Sequence, residues 1–145
     1  MRASDVDAAL YWLARMLQGG ENPQYILRRL IRFATEDIGL ADPQALTQAI
    51  SAQQAYHFLG SPEGDLALAQ CVIYLATAPK SNAAYQAFKM AQNSATQHGS
   101  LMPPLYAVNA PTKLMKEIGY AQGYEYDHDA PEAFSGVSYF PEKMK

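Results

Sequence analysis

The 145-residue chain contains one cysteine, one tryptophan, no apolar run long enough to cross a bilayer and no G-x-x-x-x-G-K-[ST] segment. Each absence excludes something. A lone thiol cannot form an internal disulfide, and Cys71 sits in the apolar run Cys71-Val72-Ile73-Tyr74-Leu75-Ala76. An inert buried thiol in a reducing cytoplasm is the expectation, because reactivity needs exposure and an electropositive setting. A membrane span needs about 20 apolar residues, and the N-terminus lacks the basic-then-apolar pattern of a secretory signal. Without the glycine-rich loop nothing cradles a nucleotide phosphate in the P-loop manner, so no cofactor is expected in this chain. No G-x-S-x-G elbow occurs, and no serine has a base placed beside it. Positive charge is also scarce. Eleven basic residues face 14 acidic ones, a net charge of −3, which argues against a broad, nonspecific grip on nucleic acid.

What is present is helical punctuation. Asn22-Pro23, Asp42-Pro43 and Ser61-Pro62 each set an oxygen-bearing cap before a proline, which is tolerated at the first helical position. Gly19-Gly20, Gly39 and Gly60 precede these pairs and suit helix stops. The first helix is predicted to begin after Ser4 and run to about Gln18, with Val6, Leu10, Leu13 and Leu17 on one face. The second follows Asn22, with Ile26, Leu30 and Phe33 as its apolar stripe and Arg28, Arg32 and Glu36 recurring beside it. In the third, after Asp42, Ala45, Ala49, Ala52, Tyr56 and Leu59 keep the spacing of a buried seam. From Leu66 to Ala78 only Gln70 and Thr77 are polar, so the fourth is expected to be buried nearly all round. The fifth, Ser81 to Gln97, carries Ala84, Ala87, Ala91 and Ala95, small side chains that admit a close neighbour.

After Gly99 the pattern changes. Pro103-Pro104 and Pro111 leave room for a loop and a short helix, Thr112 to Ile118. The remainder holds Tyr120, Tyr124, Tyr126, Phe134, Tyr139 and Phe140, too aromatic for a disordered tail. The expected fold is all-α and a single domain over residues 1–145: a compact bundle of about five helices over residues 4–98, then a loop, a short helix and an extended aromatic arm over residues 99–145.

Few side chains point to chemistry. His57, His98 and His128 are far apart and have no partner at metal-ligand spacing. Asp127-His128-Asp129 reads more readily as a solvated turn than as a metal site. Glu36-Asp37 reads as structure: Glu36 pairs with Arg32 one turn earlier, and Asp37 orders the turn at Gly39. Two readings of Lys80-Ser81-Asn82 stand side by side. A helix N-terminus with a nearby lysine can bind a phosphate; equally, Ser81 or Asn82 caps the fifth helix while Lys80 is solvated. Lys113 and Lys116 share one side of the short helix, where solubility is the first explanation and phosphate contact the second. The arm, with Glu125, Asp127, Asp129, Glu132 and Glu142 against Lys143 and Lys145, is too acidic to favour base stacking, and packing is the better reading.

Two segments carry a family resemblance: Ala78-Pro79-Lys80-Ser81-Asn82-Ala83-Ala84-Tyr85-Gln86-Ala87-Phe88 and Asn109-Ala110-Pro111-Thr112-Lys113-Leu114-Met115-Lys116-Glu117-Ile118-Gly119-Tyr120. Asp7-Ala8-Ala9-Leu10-Tyr11-Trp12-Leu13-Ala14-Arg15-Met16-Leu17 and Thr35-Glu36-Asp37-Ile38-Gly39-Leu40-Ala41-Asp42-Pro43 extend it over most of the chain. Together they resemble the C-terminal domain of the replication-associated recombination protein A family. These are clamp-loader-like AAA+ ATPases, also called MgsA, whose eukaryotic counterpart is the Werner-helicase-interacting protein. The resemblance implies an N-terminal ATPase module absent from this chain, with ATP and magnesium held there, and a helical C-terminal domain similar to a clamp-loader collar. It also implies a cytoplasmic, nucleoid-associated homotetramer that acts at replication forks with DNA and a single-stranded-DNA-binding protein. In the family pattern a basic residue would stand at Glu125 and a small one at Asp127, so any contact of the arm with DNA is not carried over. The family's final segment is also expected to lie beyond Lys145.

Three functions compete at this point. The first is an oligomerisation domain of a DNA-repair ATPase, with Ala84, Ala87, Ala91, Tyr124, Tyr126, Phe134, Tyr139 and Phe140 as candidate interface and Lys80, Ser81, Asn82, Lys113 and Lys116 as candidate phosphate contacts. The second is a stand-alone helical adaptor for a protein partner. The third, an enzyme using His57 or His128, lacks a convergent acid, base and nucleophile.

Overall fold

The first helix, α1 (Val6–Gln18), starts one residue later than its sequence suggests: the Asp5 carboxylate, not Ser4, accepts the Ala8 N–H at 2.9 Å. A computed structural model describes residues 1–144, and among them there are helices, turns and loops but no strand. In α2 (Pro23–Phe33), Asn22 caps as expected, its side-chain oxygen accepting the Gln24 N–H at 2.9 Å. Its buried residues, Ile26, Leu27, Leu30 and Phe33, fall on one face. The helix then widens into a π-turn, Ala34–Ile38, and ends at Gly39, whose φ of 53° suits a residue without a Cβ. Asp42 caps α3 (Gln44–Leu59) by accepting the Gln44 N–H at 3.1 Å.

Ser61-Pro62 does not open a helix. α4 (Asp65–Thr77) begins three residues after the proline, because the chain first closes a tight turn in which the Gly64 N–H donates to the Gly60 carbonyl at 2.6 Å. A Cβ at Gly64 would come 2.7 Å from that carbonyl oxygen and 2.9 Å from a ring carbon of Tyr56, so only glycine fits.

The chain divides into two compact units, Met1–Asn93 and a second beginning at Ser94; the boundary falls inside α5 (Ala83–His98). In the first unit α4 is central, packing against α1, α2 and α3. Ala45, Ala49 and Ala52 of α3 are buried in this core with Leu68, Cys71, Val72 and Leu75 of α4, and their small side chains bring the backbones together. Tyr74 fastens α4 to the start of α3 by donating its hydroxyl proton to Asp42 at 2.7 Å. Burial of α4 is less complete than its apolar sequence suggests: Leu66 is 75% exposed and Ile73 42%. The three helices around it cover only part of its circumference.

In the second unit α6 (Lys113–Glu117) is capped by the Thr112 hydroxyl, which accepts the Met115 N–H at 3.3 Å. The segment after Tyr120 is not a continuous extended arm. It is broken into short 3-10 turns at Asp127–Asp129, Pro131–Ala133 and Glu142–Met144. Local bonds such as Ala130 N–H to the Asp127 carbonyl (3.1 Å) and Phe134 N–H to the Pro131 carbonyl (3.2 Å) replace the extended form. Tyr106 holds the segment by donating to the Ser138 carbonyl and by an edge contact with the Tyr139 ring, centroids 5.8 Å apart.

Candidate functional site

The Lys80-Ser81-Asn82 cluster is built at the junction of α4 and α5. Ala76, Ala78 and Ser4 each lend an oxygen to the Lys80 ammonium, the first at 3.0 Å and the last at 3.4 Å. The ammonium thus sits on the carbonyl end of α4, where a cation favours the helix dipole. Ser81 Oγ accepts the Ala83 N–H at 3.3 Å, and Asn82 Oδ1 accepts from the Gln86 side chain at 3.0 Å. The Ser81 N–H donates to the Asp37 carbonyl at 2.9 Å, tying the start of α5 to the π-turn.

α5 itself buries no side chain. Ala84, Ala87 and Ala91 are exposed, and so are Tyr85, Phe88 (65%) and Met90 (71%). A second exposed apolar feature lies on α1, where Tyr11 and Trp12 (62%) make an edge-to-face pair at 5.4 Å.

Lys113 and Lys116 stand in the second unit. Lys113 lies 3.9 Å from Glu117, and Lys116 borders a shallow hollow with Tyr120, Ala121 and Gln122. Tyr124, Tyr126, Phe134, Tyr139 and Phe140 are all exposed in that unit. Asp127 is engaged, its Oδ1 accepting from Ser135 Oγ at 2.5 Å and Ser135 N at 3.2 Å. These bonds hold its carboxyl below the ordinary aspartate value. His128 lies against the Tyr126 ring at 4.9 Å. Among the described residues no group of three His, Cys, Asp or Glu is placed to hold a metal ion, and no helix is long and apolar enough to cross a membrane. Burial pushes the Cys71 thiol up to about 11.

One polar site was missed by sequence reasoning. A hollow of about 260 Å³ is lined by Met1, Arg2, Arg29, Arg32, Phe33, Glu36 and Asp37. Arg32 donates to Glu36 at 2.7 Å, the pair read from the sequence, and this bond holds the Glu36 carboxyl below its ordinary value. Asp37 orders more than its own turn, because Arg2 reaches it from the N-terminus at 2.5 Å. The pattern Arg28-Arg29 followed by Arg32 was the available signal. Alternating charges on a helix face look like solvation until the acids are seen to be engaged.

Residues 3–145 match the family model described as MgsA AAA+ ATPase C terminal. The chain belongs to this family. Among MgsA-type relatives it is 52% identical over 145 residues to replication-associated recombination protein A of Coxiella burnetii, covering 99% of this chain and 33% of that protein. Against the Escherichia coli K12 protein of the same name identity is 48% over 145 residues, covering 99% and 32%. Against ATPase WRNIP1 of Dictyostelium discoideum it is 45% over 150 residues, covering 100% and 17%. The chain thus spans about a third or less of the length of these MgsA and WRNIP1 relatives.

Proposed function

We propose that this chain is the self-association module of a longer AAA+ ATPase that maintains replication forks in recombination and repair, and that it assembles as a tetramer. On this reading nucleotide and magnesium belong to the remainder of the parent protein. That protein works on DNA beside a single-stranded-DNA-binding protein, in the cytoplasm at the nucleoid. The observation that supports the reading is α5, sixteen residues with none buried, carrying Phe88 and Met90 into solvent. An exposed apolar surface of this kind marks an interaction site, and a closed oligomer covers the same patch in every copy. Ala84, Ala87 and Ala91 would let a neighbouring helix approach, with Tyr124, Tyr126, Phe134, Tyr139 and Phe140 adding aromatic contact. α4 adds little, since its own unit buries Leu68, Cys71, Val72, Leu75 and Ala76. Phosphate contact is a minor part of the function and falls first to Lys113 and Lys116. Lys80 would have to release its carbonyl partners, and Ser81 and Asn82 their capping bonds, to join them.

Light scattering tests this directly. The intact chain at tens of micromolar should have the mass of four copies of 16.0 kDa. Phe88→Glu combined with Met90→Glu should lower that mass while leaving helix content unchanged. A monodisperse monomer would sink the proposal and favour an adaptor that offers the same face to a different protein.

A further inference from the structure

In the second unit, aromatic rings and carboxylates gather around Tyr139. Tyr124 is 51% exposed and Tyr139 49%, and Tyr106 meets the Tyr139 ring edge-on, centroids 5.8 Å apart. Burial, with Tyr124, Asp127, Tyr106 and Glu125 close by, holds the Tyr139 hydroxyl above its ordinary value. Neither acid is neutralised by a cation. Both Ser135 bonds to Asp127 fall on Oδ1 and come from uncharged donors, and they favour the ionised carboxylate. Glu125 is exposed and forms no ion pair among the described residues.

Half-exposed rings beside unpaired anions fit few partners. Nucleic acid and anionic lipid are repelled by the carboxylates. A purely apolar partner covers the rings but strips water from two charges without replacing it. A cationic side chain uses both features, its charge over a ring face and its N–H groups on a carboxylate. Arginine does this better than lysine, because its flat guanidinium stacks on a ring while its fork pairs with an acid. We propose that Tyr124, Tyr139, Glu125 and Asp127 bind an arginine-rich segment of a protein partner, guanidinium groups stacked on the rings and paired with the acids. The site goes beyond self-association: it uses nothing of α5, and only the rings of Tyr124 and Tyr139 belong to both surfaces.

Fluorescence anisotropy of a labelled arginine–glycine repeat peptide with the full chain, across a salt series from low ionic strength, tests the proposal. A lysine–glycine peptide of equal length and charge should bind about threefold more weakly, the loss of stacking. Glu125→Gln with Asp127→Asn removes both charges yet keeps an acceptor for Ser135. It should weaken binding about tenfold and lessen the salt dependence. Tyr124→Leu should weaken the arginine peptide about threefold, while Tyr124→Phe, which keeps a ring, should bind as the unaltered chain does. Near-ultraviolet circular dichroism checks that the tyrosine surroundings survive in each variant. Glu125→Lys, outside the Ser135 bonds, replaces the double variant if they do not. No saturable binding at low salt would overturn the proposal. So would equal affinity for the two peptides, unchanged binding in the acid variants, or an inert Tyr124→Leu. Phe88→Glu with Met90→Glu should bind the peptide as the unaltered chain does, whatever its mass by light scattering, which separates failure of this site from failure of self-association.

Discussion

Single side chains divide between those that cannot be reached and those already committed to a partner. Cys71 belongs to the first group. It is 3% exposed, on the face of α4 that joins the core, and desolvation of its thiolate carries its pKa from 9.0 to about 11. A thiol held that high is almost wholly protonated at pH 8, and its sulfur is covered as well. A disulfide-exchange reagent at pH 8 should therefore leave the folded chain unlabelled and titrate one thiol per chain after denaturation. Rapid stoichiometric labelling of the native protein would contradict this. Glu36, Asp37 and Asp127 belong to the second group, each accepting from a named neighbour. These bonds shape the surface around Arg29 and the turn at Ser135.

At the scale of elements, junctions matter more than helix interiors. The step from α3 to α4 depends on Gly64, which sits where the Gly60 carbonyl and the Tyr56 ring leave no space for a methyl group. Because the nearest obstacle is backbone, the clash cannot be relieved by turning a side chain. Gly64→Ala should destabilise the chain by about 1–3 kcal/mol, the usual cost of forcing a methyl into a filled site. In urea the midpoint should fall with the slope unchanged. A midpoint equal to that of the unaltered chain would show that the turn can move aside. The junction of α4 and α5 is tied differently, by Lys80 on the α4 carbonyls and Ser81 on Asp37. α5 thus begins at a fixed point even though none of its side chains is buried.

Across the whole molecule, buried side chains are unevenly shared. The hydrophobic core, from Leu13 to Ala78, belongs entirely to the first unit, while the second is held by short turns, the α6 cap and the Tyr106 contacts. Amides of α4 sit where three helices pack around them and open only with global unfolding, whereas short-turn amides open locally. Hydrogen exchange should show slow, cooperative exchange in Asp65–Thr77 and fast exchange from Tyr124 onward. If tetramer formation covers the second unit, its exchange should slow as protein concentration rises. Fast exchange throughout α4 would mean that the core does not form one cooperative unit.

Much of this was legible in the sequence because its causes are local. Asn22 and Asp42 accept backbone N–H groups two residues away, and the alanine seam of α3 follows from helical periodicity, so these features needed no knowledge of the fold. The family was legible too, since its segments are long and in order. What only the tertiary structure decided involves groups distant along the chain. Ser61-Pro62 has the form of a helix start, but Gly64 must first pass Tyr56. Lys80 looked free or phosphate-bound until its ammonium was seen on carbonyls, one of them four residues earlier. Asp37 looked to order only the turn at Gly39 until Arg2, 35 residues earlier, was found occupying it. Local hydrogen bonding and helical period are written residue by residue. Which charge is left over after pairing is a property of the folded surface, and no window of the sequence contains it.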